Sequence, residues 1–278
     1  MAFPELTYVT TCKGRLHHLK QSLPVVVAQG LENIIVVDFD CPDGTAQWVR
    51  ENFPSVQVIK IEGQPKFLHS RSHNIGGNAV KTPWIAFFDA DAVVNPQFFE
   101  KVTPILKPGF YYIPNNPDGT TWGSCLVEKS SFQLAGGYDE AVANWGGVDM
   151  AFYNLLNFVG IKSATYDGNL ISSIKHDDTQ RTQFTIEQSV EFALQMSMVY
   201  EQCKLDAMRV AGGLMPLEAR VALRQAVRTA LTNARNGNGQ SRSISFQLPP
   251  FATVRPRLGE KRSPVIGKTI TFDVSFRK

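Results

Sequence analysis

Two short apolar runs that end in carboxylates set what this chain folds into. Ile34-Ile35-Val36-Val37 runs into Asp38, and Trp84-Ile85-Ala86-Phe87-Phe88 runs into Asp89 and Asp91. Runs this short and this uniformly apolar are strands buried on both faces, as in parallel sheets covered by crossover helices. The flanking sequence supplies those crossovers. Leu6 to Thr11 is a β-type run, and Leu16 to Ala28 has helical spacing at Leu16, Leu19, Leu23 and Val27. Thr45 to Asn52 reads as a short helix, Val56 to Ile61 as a strand and Ser70 to Ala79 as a helix. This β-α-β-α-β order predicts an α/β sheet with right-handed crossovers.

The texture changes near residue 183. Thr185 to Val210 carries helical spacing at Ile186, Val190, Leu194, Met198 and Leu205, and Gly212-Gly213 breaks it. Pro216 stands where a helix start tolerates proline, and Leu217, Val221, Val227 and Leu231 continue to about Arg235. Asn236-Gly237-Asn238-Gly239 is a stop. Near the end, Ile270, Phe272, Val274 and Phe276 alternate with Thr271, Asp273 and Ser275, a half-buried strand with Ser243 to Leu248 as candidate hairpin partner. The expected organisation is an α/β domain over 1–182, a helical extension over 183–236 and a basic β tail over 237–278.

Charge follows the same division. The whole chain has 28 basic and 25 acidic residues, a net of +3, which excludes a protein uniformly basic for nucleic acid. Residues 1–182 hold 14 basic and 18 acidic residues, whereas 236–278 hold 8 and 2. Arg220, Arg224 and Arg228 recur four apart and read as a solvated basic face. Cys12, Cys41, Cys125 and Cys203 show no CxxC spacing and read as reduced thiols. The N-terminus lacks the pattern of a secretory signal, and no apolar run approaches the ~20 residues that span a bilayer. A soluble cytoplasmic protein is expected. Its basic tail is assigned to peripheral docking, on an anionic membrane surface or an acidic glycan carrier.

Ligands of open α/β sheets bind beyond the carboxyl ends of the strands, so Asp38, Asp89 and Asp91 are the first candidates. Two carboxylates two residues apart offer hard oxygens to a divalent cation with a phosphate on its far side. The plainer reading makes them caps of the segment that follows. Three further stretches add weight to the first reading. They are Ser70-Arg71-Ser72-His73-Asn74-Ile75-Gly76-Gly77, Gly136-Gly137-Tyr138-Asp139-Glu140 leading to Asn144-Trp145-Gly146-Gly147-Val148-Asp149, and Lys175-His176-Asp177-Asp178.

Together and in this order, these residues resemble the nucleotide-sugar-dependent glycosyltransferases of the GT-A fold. The resemblance is to the family-2 type whose C-terminal half is similar to β-1,4-galactosyltransferases, and it covers roughly residues 5–182. It implies a Rossmann-like mixed sheet with helices on both faces, preceding the helical extension and the β tail. It implies that Thr10, Thr11 and Arg15 lie along the nucleotide, and that Asp38 binds the uracil or ribose. Arg71 and Asn74 would lie against the nucleotide and support the DxD loop. Asp89 and Asp91 would be that DxD motif, holding Mn²⁺ or Mg²⁺ against the diphosphate, with His176 as the late metal ligand. Trp145, Gly146 and Gly147 would form the loop over donor and acceptor, and Asp149 the catalytic base.

The implied reaction moves a sugar from a nucleotide-sugar donor, of the UDP type, to a hydroxyl of a glycan, lipid-linked or protein acceptor. Inversion is expected with Asp149 as general base. Two departures stand out. Val148 replaces the Glu of the usual Trp-Gly-x-Glu-Asp loop, and His73 stands where an arginine is common. A retaining transferase of the same fold, or a catalytically silent nucleotide-sugar or glycan-binding module, are the alternatives.

Overall fold

The computed structural model describes residues 5–115, 120–142, 146–175, 183–187, 189–236, 242–248 and 268–274. They form two compact units, Met1–Asp139 with Ala143–Val190 and Glu140–Val142 with Glu191–Lys278.

The first unit opens with the expected alternation: β1 (Leu6–Cys12), α1 (Leu16–Val27), β2 (Asn33–Phe39), α2 (Thr45–Asn52), β3 (Gln57–Ile61), α3 (His69–Ala79) and β4 (Trp84–Asp89). It continues through β5 (Ala92–Val94), α4 (Phe98–Val102), β6 (Phe110–Pro114), β7 (Cys125–Glu128), α5 (Lys129–Leu134), α6 (Val148–Phe158), β8 (Lys162–Tyr166) and β9 (Ile171–Ser173). Seven strands make one mixed sheet in the order β3-β2-β1-β4-β7-β6-β8. β1 pairs in parallel with both β2 and β4, and β7 runs antiparallel between β4 and β6. The chain thus moves outward from β1 in both directions, and its switch point lies at the carboxyl ends of β1 and β4.

β4 is buried on both faces. Phe88 packs its ring 5.3 Å from Tyr8, in a core shared with Leu19 and Leu23 of α1 and Phe98 of α4. Phe87 faces the other way, 5.5 Å from Phe132 of α5 and 5.2 Å from Tyr138. Side chains alternate along a strand, so Asp89 follows Phe87 and emerges toward α3 and α6. Two glycines let α3 lie close to the sheet on that face. A Cβ on Gly76 would sit 2.4 Å from Val9 Cγ1, and one on Gly77 would sit 2.8 Å from the rings of both Phe87 and Phe132.

The second unit is built on α7 (Val190–Ala211) and α8 (Leu217–Asn236), with an antiparallel pair of β10 (Arg242–Leu248) and β11 (Lys268–Val274). The tail alternation is present: Ile270 and Phe272 are half-buried, Thr271 and Asp273 exposed. Phe276 and Ser275 lie outside the described residues. The inward face of α7 differs from the spacing expectation. Leu194 and Met198 are exposed, while Phe192, Met196, Tyr200 and Cys203 are buried. The basic face of α8 differs too. Arg224 is buried, with its guanidinium 5.2 Å from the Tyr200 ring, and Arg228 and Arg235 lie over Phe192. Cation–π attraction and stem packing account for arginines turned inward. Among the described residues no helix is long and apolar enough to cross a membrane.

Candidate functional site

The site grows from the carboxyl edge of the sheet. Strand register places Thr11 opposite Asp89 and Cys12 opposite Asp38, so three strand ends meet in one row. Thr10 and Thr11 are both buried. Arg15, just before α1, reaches across to Asp91, with Nη1 3.4 Å from Oδ2. The backbone beyond β4 is tied on both sides: Ser22 Oγ donates to Ala90 O at 2.7 Å, and Ile174 N donates to Asp91 O at 2.9 Å. The described residues stop at Lys175, so His176 lies outside them, as does Trp145.

Asp89 has a neighbour that the sequence reading did not single out. His69 Nε2 lies 3.1 Å from Asp89 Oδ1. One helical turn on, His73 sets its ring edge to face with that of His69, centroids 4.4 Å apart at 83°, and its Nδ1 meets the His69 carbonyl at 3.1 Å. The carbonyl can only accept, so His73 Nδ1 carries the hydrogen and Nε2 keeps its lone pair. The i, i+4 spacing of two histidines at a helix start was the available signal. Burial pushes Asp89 up, but the hydrogen bond and charge of His69, helped by His73 and Arg15, outweigh it and hold the carboxyl at about 2. Burial pulls His69 down, and Asp89 with the charges of Asp149 and Asp91 more than reverses that. His73 is pulled down to about 3, by burial first and by His69 second.

Asp149 stands in the first turn of α6, after Gly147 at φ 85° and Gly146 at φ 93°. Both backbones are left-handed, the conformation that glycine adopts without strain. A negative side chain also suits the positive end of a helix. Gly123 links the two carboxylates. A Cβ there would sit 2.7 Å from Asp89 Oδ2 and 3.5 Å from both Asp149 oxygens, so both acids face the same point. Asp149 Oδ1 is buried and has no hydrogen-bond partner among the described residues. Burial first, and the charge of Asp89 second, push this carboxyl up to about 6. Val148 beside it is buried.

The remaining candidates are placed by the backbone around the same strand ends. Asp38 Oδ1 accepts Cys41 N and Oδ2 accepts Ala46 N, both at 2.7 Å, which fixes the turn into α2. Asn74 clasps the backbone of Tyr138, donating to its carbonyl at 3.0 Å and accepting its N–H at 2.7 Å. Arg71 is exposed on α3. Lys13, a residue not singled out from sequence, is buried and donates to the carbonyls of Phe39, Asp40 and Gln64. Phe184 lies over it, with Nζ 5.2 Å from the ring centroid.

The donor atoms suit a divalent cation. One carboxylate oxygen of Asp89 and the ring nitrogens of His69 and His73 lie within 4.8 Å of one another. Mixed nitrogen and oxygen ligands fit Mn²⁺, which binds imidazole more readily, better than Mg²⁺, which keeps an all-oxygen shell.

Comparison with known proteins agrees with this fold. Residues 7–117 match the model of Glycosyl transferase family 2. That stretch runs from β1 past β4 and holds Asp38, His69, His73, Asp89 and Asp91. Among solved structures, the mannosyltransferase PcManGT from Pyrobaculum calidifontis, in complex with GDP-Man and Mn²⁺, is similar with a TM-score of 0.54 and 14% identity, over 85% of this chain and 76% of that one. S. aureus TarS 1–349 in complex with UDP-GlcNAc is similar with a TM-score of 0.56 and 11% identity, over 84% of this chain and 74% of that one. At these identities the likeness is one of fold, and the fold is GT-A. No curated protein matches the sequence.

Proposed function

We propose that this protein is a divalent-cation-dependent glycosyltransferase that moves a sugar from a nucleoside-diphosphate sugar to an acceptor hydroxyl with inversion. One observation carries the proposal: Asp89 and Asp149 converge on a single point beside Gly123, and their environments push the two carboxyls in opposite directions. Paired acids with separated pKa values take different roles. Asp89, kept ionised, belongs to the diphosphate side with His69, His73 and Asp91. A cation held there would neutralise charge on the leaving diphosphate. Asp149, poised near neutrality with an unpartnered oxygen, takes the proton of the acceptor hydroxyl. That hydroxyl then attacks the anomeric carbon from the face opposite the nucleotide, which inverts configuration.

The family-2 match and the nucleotide-sugar complexes among the similar structures support a nucleotide-sugar donor. The Gly146-Gly147 entry into α6 supports the β-1,4-galactosyltransferase-like reading of the later half. His176 is proposed as a further cation ligand and Trp145 as part of the donor and acceptor loop. Trp122, which precedes Gly123 and is 48% exposed, offers an aromatic face to a sugar ring.

The test is a panel of UDP- and GDP-sugars scored by nucleoside diphosphate release, with Mn²⁺, Mg²⁺ or chelator. Cation-dependent release that Asp149→Asn abolishes is expected. Binding of nucleotide without release from any donor marks a silent binding module. A product that keeps the donor's anomeric configuration overturns the inverting assignment.

A further inference from the structure

Two of the cysteines meet where β1 and β2 end. Cys12 is the last residue of β1 and stands in register with Asp38. Three residues beyond Asp38 the chain folds back, and Cys41 N bonds the Asp38 carboxylate at 2.7 Å. Each sulfur accepts a hydrogen bond from the other's segment. Thr45 Oγ1 donates to Cys12 Sγ at 3.2 Å, and Gly14 N donates to Cys41 Sγ at 3.1 Å. Cys12 is buried and Cys41 half-buried, so a small solute has one sulfur to meet. The other thiols are buried, Cys125 on β7 of this unit and Cys203 in the second unit.

The surroundings make the pair unequal. The Cys12 thiol, with Thr45 and the amides of Asp43 and Gly14, outweighs burial and holds Cys41 at about 6. Cys12 is pushed well up, first by Cys41 and then by burial. Near neutrality Cys41 is the thiolate, which is the nucleophilic form, and Cys12 keeps its proton.

We propose that Cys12 and Cys41 form an oxidisable dithiol, a site at which a peroxide closes a disulfide across the ends of β1 and β2. The Cys41 thiolate attacks one peroxide oxygen, the O–O bond breaks, and the departing hydroxide takes a proton to become water. This leaves a sulfenic acid on Cys41. Cys12 Sγ attacks that sulfur, the S–O bond breaks, and the hydroxyl leaves with the Cys12 proton as a second water. Two thiols lose two electrons and the peroxide gains them. The new bond replaces the contacts of both sulfurs with Gly14 and Thr45 and draws the 38–46 turn toward β1. That turn carries Asp38 and borders the strand ends of the candidate site, so closure weakens nucleotide binding. The dithiol itself is independent of the proposed function; only this last consequence rests on it.

The full chain is treated with hydrogen peroxide at neutral pH, alkylated, and read by intact mass and peptide mapping. Two of the four thiols are expected to be protected, with one Cys12–Cys41 crosslink that dithiothreitol reverses. Cys12→Ser should stop at a dimedone-trappable sulfenic acid on Cys41, and Cys41→Ser should not react. Four free thiols after peroxide, or a crosslink between other cysteines, overturns the proposal. UDP binding by calorimetry should weaken about tenfold on oxidation and recover on reduction. Unchanged UDP affinity in the crosslinked protein overturns the coupling to the donor site. Failure of the reduced protein to bind UDP counts against the proposed function and leaves the dithiol standing.

Discussion

His69 Nε2 lies 3.1 Å from Asp89 Oδ1, and this contact ties the first turn of α3 to the end of β4. It holds Asp89 ionised against burial and leaves Asp149 as the carboxyl that yields to it. Removing the imidazole frees Asp89 to rise. His69→Ala should therefore lower Mn²⁺ affinity about tenfold or more, measured by titration in the presence of UDP. Affinity equal to wild type would detach His69 from the cation.

Asp149→Asn separates chemistry from stability. Turnover should fall by about 10²–10⁴, the usual worth of a general base, while donor binding persists. The carboxyl is raised from 3.8 to about 6 in the folded protein, so its ionised form opposes folding. Its stabilising share is complete below pH 3.8 and is lost as pH rises through about 6. Asn should therefore raise stability by about 1–3 kcal/mol at pH 8 and leave it nearly unchanged at pH 3.5. Thermal melts at the two pH values read the difference.

Gly123→Ala places a methyl 2.7 Å from Asp89 Oδ2. The carboxylate must shift to admit it, which disturbs its contact with His69. We expect kcat/KM to fall about tenfold while stability changes by less than about 1 kcal/mol. A variant of unchanged kcat/KM would mean that the contact is idle.

Lys13→Met keeps the length of the stem and removes three donated hydrogen bonds. The carbonyls of Phe39, Asp40 and Gln64 then lose a charged donor in a buried setting. A loss of about 3 kcal/mol or more is expected in denaturant unfolding.

Much of this was legible in the residues themselves. Apolar runs ending in Asp38 and Asp89 carry their own evidence, because burial on both faces and a terminal charge are local properties of a few residues. Gly146-Gly147 was legible as a loop for the same reason, because paired glycines ahead of an apolar helical run interrupt regular structure. What was not legible depends on approach through space. Lys13 meets Gln64, and Gly123 meets Asp89 and Asp149, across long stretches of chain. The arginines of α8 show the same limit. Four-residue spacing identifies one face of a helix, but only the positions of Phe192 and Tyr200 reveal that this face turns inward.

The glycine pair in α3 has a consequence for how this protein tolerates change. Gly76 and Gly77 set how near the helix sits to Val9, Val37, Phe87 and Phe132. His69 and His73 ride on that same rigid rod, so a methyl added one turn past His73 and two past His69 would lift both imidazoles from Asp89. The spacing between helix and sheet acts as a tuning screw for the charge of the site. Damage to it would register in an assay as a chemical defect, although the altered atom lies wholly in the hydrocarbon interior.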